Sequence, residues 1–107
     1  MPVVEGDLHI APVHPGEILA EDVLPALKAE HGVTKAAFAA YLHMTRQALE
    51  NILKGQSVIT PPTALRLGKL LGNGAEFWLA LQADYDLRRA RDQLAAELEQ
   101  LPALTAA

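Results

Sequence analysis

The stretch Thr34–Gly55, TKAAFAAYLHMTRQALENILKG, decides how the rest of the chain is read. It holds two short apolar patterns with helical spacing. Phe38, Ala39 and Leu42 lie at i, i+1 and i+4, on one helix face. Leu49, Ile52 and Leu53 make a second such face at i, i+3 and i+4. Thr34 and Thr45 stand where the two helices begin, each with a hydroxyl that can accept an orphan backbone N–H. Joining the two helices are only Leu42, His43 and Met44 before the Thr45 cap, too few residues for anything but a sharp turn. Ala39 is small, as two steeply crossing helices require at their closest approach. The spacing predicts a helix-turn-helix, whose second helix enters the DNA major groove N-terminus first. Thr45, Arg46 and Gln47 are then the exposed residues of its first turn, with Glu50 and Asn51 one turn later. Arg, Gln and Asn match the edges of guanine and adenine, so Arg46, Gln47 and Asn51 are the candidate base readers. Lys35, Thr45, Lys54, Gln56 and Ser57 flank the same helix and are the candidate phosphate donors. Ordinary helical hairpins share the apolar pattern; the caps, Ala39 and the polar face favour the DNA-binding reading.

The whole chain agrees with this. At 107 residues it is expected to be one domain with one helical core. Half of its residues are hydrophobic, and no β-branched run suggests a strand, so the composition points to an all-α fold. The absence of cysteine excludes disulfides and thiolate zinc sites. No basic segment leads into an apolar run at the N-terminus, and no stretch approaches the ~20 apolar residues that span a bilayer. A cytoplasmic protein is expected. The net charge of −4 runs against DNA binding until it is mapped. From Thr34 to Lys69 there are five cations and one acid, a balance of +4, while the remainder carries −8. The positive charge lies where a duplex would lie. The acidic remainder suits a basic second partner, or is only a solvated surface.

In chain order, residues 1–13 lack a helical period and read as an arm in which Val3, Val4, Leu8 and Ile10 could form an extended segment. The main domain is expected over 14–101, with a tail at 102–107. His14-Pro15-Gly16-Glu17 opens the first helix, with Ile18, Leu19, Val23, Leu24 and Leu27 as its buried stripe. Pro25 should kink or end it, because proline cannot bond the Glu21 carbonyl. Gly55 suits a helix C-cap, and Val58 and Ile59 are expected to turn inward. Thr60-Pro61 starts the next helix, whose broad stripe of Ala64, Leu65, Leu67, Leu70 and Leu71 marks it as the most buried. The last helix starts near Ala75 and runs toward Leu101. Phe77, Trp78, Leu81 and Tyr85 are its core side. Beyond them Leu87, Leu94, Leu98 and Leu101 make a narrow stripe suited to a helix–helix contact with a second copy.

Catalysis and cofactors find no support. Ser57 is the only serine, and no glycine-rich phosphate loop is present. His9, His14, His31 and His43 are scattered without metal-ligand spacing. His43 falls in the turn, where a positive φ is often needed, so its role is read as conformational.

HPGEIL, the helix-turn-helix, ITPPTALRLGKLLG and AEFWLALQADYDLRRAR follow one another in a chain that resembles the HigA-type antitoxins of the Xre-like class. The match covers about Val13 to Arg91, and its first and last segments are more diagnostic than the helix-turn-helix. The resemblance implies a five-helix, λ-repressor-like domain with an extended C-terminal helix, usually dimeric. It implies repression of a shared operon and neutralisation of a HigB-type toxin, a small basic mRNA endonuclease of RelE-like fold. Two positions depart from the family: His43 stands where glycine is usual in the turn, and Gly74-Ala75 replaces a Ser-Pro pair. A stand-alone regulator without a toxin, and an interaction module that no longer binds DNA, are the alternatives.

Overall fold

The computed structural model describes residues 12–105, which form five helices and, among the described residues, no strand. Most of the arm expected at 1–13 lies outside the described residues, as do Ala106 and Ala107.

Helix α1 covers 15–31 in three consecutive pieces: an α turn Pro15–Ile18, a π turn Leu19–Val23 and an α segment Leu24–His31. Pro15 holds the first helical position, and His14 caps the helix by accepting the Gly16 N–H on Nδ1 at 2.9 Å. Of the two outcomes expected at Pro25, a kink or an end, the helix does not end there. Its ring crowds the carbonyl one turn back, and a wider turn relieves that crowding. The π turn just before it supplies the width, with the Leu24 N–H bonded to the Leu19 carbonyl.

Helices α2 (Lys35–Tyr41) and α3 (Arg46–Leu53) are the pair read from the sequence. Thr34 Oγ1 accepts the Ala37 N–H at 3.1 Å, and Thr45 Oγ1 accepts the Ala48 N–H at 3.0 Å. Each such cap contributes ~1 kcal/mol. His43 takes the left-handed conformation, φ 58°, so the turn closes without glycine. The Met44 N–H then reaches the Ala39 carbonyl at 3.0 Å. At the far end of α3, Gly55 has φ 76°. Its N–H bonds the Ile52 carbonyl at 3.0 Å, and the Gln56 N–H bonds the Asn51 carbonyl at 2.8 Å. This double closure satisfies carbonyls that the helix end would leave open.

Helix α4 spans Pro61–Leu71 and α5 spans Ala75–Gln100. Thr60 stands at the α4 N-cap with proline next to it, as expected, and its hydroxyl faces Thr63 Oγ1 at 3.4 Å. Three sequence expectations are corrected here. Helix α4 is not buried all round: Thr63, Ala64, Leu67 and Gly68 face the core, while Leu65 and Leu70 are exposed. Phe77 is also exposed. Helix α5 packs through Trp78, Leu81, Gln82 and Tyr85, one helical stripe that leaves Phe77 at its edge. In the loop before α4, Ile59 is buried but Val58 faces solvent. The Gln82 side-chain oxygen accepts the Ile59 N–H at 2.8 Å and holds that residue inward.

Leu19, Phe38, Leu42, Leu49, Leu67 and Trp78 are fully buried, so the core draws on all five helices. From Arg91 to Thr105 every residue is exposed, and the C-terminal part of α5 leaves the body of the domain. No helix among the described residues is long and apolar enough to cross a membrane.

Candidate nucleic-acid interface

The first turn of α3 is open. Arg46 and Gln47 are exposed, and the Thr45 cap fixes where the turn begins. At ~100° per residue, Arg46, Glu50, Gln47 and Asn51 follow one another around an arc of ~140°. Gln47 Nε2 donates to Asn51 Oδ1 at 3.0 Å, so two of the three expected base readers orient each other. Thr45 uses a lone pair on the Ala48 N–H, which leaves its hydroxyl hydrogen for another acceptor.

The expected phosphate donors differ in their surroundings. Lys54 and Gln56 are exposed just past α3, and Ser57 is half-buried beside them. Lys35, at the start of α2, lies 3.4 Å from both carboxylate oxygens of Glu50 on α3. The two side chains are 44% and 25% exposed. A pair that wet contributes ~0–1 kcal/mol and exchanges partners readily. Arg66, counted in the basic stretch, reaches from α4 to the Leu42 carbonyl at 3.4 Å and braces the turn. One cation was missed in the sequence. Lys28 lines a groove of about 400 Å³ together with Leu24, Pro25, Val33, Lys35 and Arg46. The α1–α2 connection brings it there, and its position in sequence carries no sign of that.

The far end of α3 is held by residues not read as functional. Gly16 packs directly on the Ile52 carbonyl, where any Cβ would collide. The His14 ring lies beside Gly55 and meets the Tyr85 ring edge-on, with centroids 4.9 Å apart. Arg89 lies over the other partner of that contact, 5.4 Å from the Tyr85 centroid. Burial pushes the His14 pKa below its usual 6.5, against opposing effects of a Ser57 backbone hydrogen bond and the charges of Asp86 and Glu17. Gln82 completes the support, tying Ile59 to α5 and donating to Asp86 at 3.0 Å. The segments HPGEIL and ALQADYDLRR were the available signal, since they carry His14, Gly16, Gln82, Tyr85 and Arg89.

A capped second helix with an open polar first turn, set across a left-handed corner from a shorter helix, defines a helix-turn-helix protein. The helix-turn-helix family model matches residues 26–78. Antitoxin HigA-1 of Vibrio cholerae is 35% identical over 86 residues, covering 80% of this chain and 77% of that protein. The solved structure of antitoxin GraA in complex with its operator is similar at TM-score 0.75 and 37% identity, over 91% of this chain and 95% of that one. The Pseudomonas aeruginosa antitoxin HigA with the higBA promoter is similar at TM-score 0.73 and 29% identity, over 88% and 99%. The chain belongs to the HigA family of helix-turn-helix antitoxins, whose members are DNA-binding regulators and not enzymes.

Proposed function

We propose that this protein is an antitoxin that neutralises a HigB-type, RelE-like mRNA endonuclease and represses its own operon as a two-fold dimer. The observation that carries this reading is the open first turn of α3, with Arg46 and Gln47 exposed and Asn51 bonded to Gln47. It stands in a fold similar to antitoxins solved on operator and promoter DNA. Arg46 pairs with guanine, and Gln47 or Asn51 with adenine. Lys35, Thr45, Lys54, Gln56 and Ser57 hold phosphates on either side of the groove. The working unit is residues 14–101, with 1–13 and 102–107 as appendages.

One recognition helix covers too few base pairs to define an operator. Two copies with recognition helices ~34 Å apart read a palindrome. Leu87, Leu94, Leu98 and Leu101 are exposed at spacings of seven, four and three, which is the seam of a helix pair. A second copy covers that seam with the same patch. The exposed acids Glu17, Glu21 and Asp22 of α1 remain for a small basic toxin in the cytoplasm.

The test pairs this gene with the reading frame adjacent to it, which the proposal expects to be short and to encode a basic protein. Co-expression is expected to rescue growth arrest and to yield a co-purifying basic protein. The purified complex or antitoxin should shift DNA from immediately upstream of the gene. A shift without rescue would leave a stand-alone regulator. Rescue without a shift would leave an interaction module.

A further inference from the structure

We infer that Glu50 is a specificity-determining residue that withholds the Lys35 charge from DNA until the correct base edge is met. The inference rests on the DNA-binding reading above. Glu50 is the one acid between Thr34 and Lys69, and it lies on the recognition helix itself. The helical period sets it between Arg46 and Gln47, in the middle of the reading face. An acid there is repelled by phosphates. In the major groove it meets acceptors at G O6, G N7, A N7 and T O4. Only an amino group, such as cytosine N4, can satisfy it.

Its carboxylate is not idle in the free protein. Both oxygens lie 3.4 Å from Lys35 Nζ, at the N-terminus of α2, where a phosphate contact is otherwise expected. On a random sequence the pair stays together and presents no net charge to the backbone. On a sequence with an amino group opposite Glu50, the carboxylate turns to the base and Lys35 is released to a phosphate. Base recognition and one phosphate contact are thereby coupled through a single ion pair. The side chains are exposed enough for the exchange to happen without rearranging a helix.

The coupling is read from salt dependence. Binding is measured over a range of salt on two duplexes of equal length: DNA from immediately upstream of the gene, and random sequence. Each phosphate neutralised adds ~0.9 to the slope of log K against log salt, or about 3.5-fold more loss between about 50 and 200 mM. Lys35→Gln should lower the slope by ~0.9 on the upstream duplex and by much less on the random one, where Lys35 is already paired with Glu50. Glu50→Gln, which keeps the shape, should raise the random slope by ~0.9 and narrow the affinity ratio between the two duplexes. Combining both changes should return the random slope to that of the unaltered protein. Equal slope losses on both duplexes for Lys35→Gln, or an unchanged random slope for Glu50→Gln, would overturn the inference while leaving DNA binding intact. Absence of any preference for the upstream duplex in the unaltered protein would instead remove the DNA reading itself.

Discussion

Gly16 has no room for a side chain. A methyl group there would run into the Ile52 carbonyl, so α1 and α3 would have to part. Gly16→Ala is expected to destabilise the fold by ~1–3 kcal/mol, measured as a lower denaturation midpoint. Gln82 is a second such residue, buried with its side-chain oxygen on the Ile59 N–H. Gln82→Ala would leave that N–H without its partner, at a cost of ~1–3 kcal/mol. Arg46 is the opposite kind of residue: exposed and without a role in the core. Arg46→Ala should leave the melting temperature unchanged and cost ~1–3 kcal/mol on upstream DNA, with far less effect on random DNA. Equal losses on both duplexes would move Arg46 to the phosphate contacts. The open position of Arg46 could be read from the sequence, because the Thr45 cap and the apolar face of α3 place it on the outside. Gly16 and Gln82 could not, because their meaning lies in a partner that only folding brings close.

Helix starts and stops are local devices, and they were legible. Thr34, Thr45, Pro15, Pro61 and Gly55 act where their side chains and backbone preferences place them. Helix faces were less legible, because a broad apolar stripe has edges that the sequence does not mark. Leu65, Leu70 and Phe77 are such edges. The π turn was invisible for another reason: it answers a clash at Pro25 that could equally have ended the helix. Helix α1 also carries a pH dependence. His14 Nδ1 must be unprotonated to accept the Gly16 N–H, and burial lowers its pKa from 6.5. The unfolded chain therefore takes up a proton near pH 6.5, and the folded chain only at lower pH. The stability that the neutral ring contributes is present above that pH and lost as pH falls below it. Thermal melts from about pH 8 to about pH 5 should show the decline. His14→Asn, which keeps a capping acceptor without titrating, should flatten it.

The molecule is long for its size, with a greatest extent of 54 Å. Helix α5 accounts for much of this, since its 26 residues span ~39 Å. Every described residue of its last part, from Arg91 on, is exposed, so removing it should separate association from folding. A chain truncated after Asp86 is expected to be monomeric by light scattering, with a melting temperature close to that of the full chain. A dimer of undiminished stability would take the Leu87–Leu101 seam out of the interface. The support of α3 has a consequence for grafting. The stretch recognised by the family model, 26–78, contains the reader but not its mount. His14 and Gly16 lie before it, and Gln82 and Tyr85 after it, yet these residues hold the end of α3 and the loop beyond. A chimaera cut at the borders of the recognisable motif would carry the letters of the operator code on a loose page. The portable piece, for transplanting this specificity into another repressor, runs from His14 to Asp86.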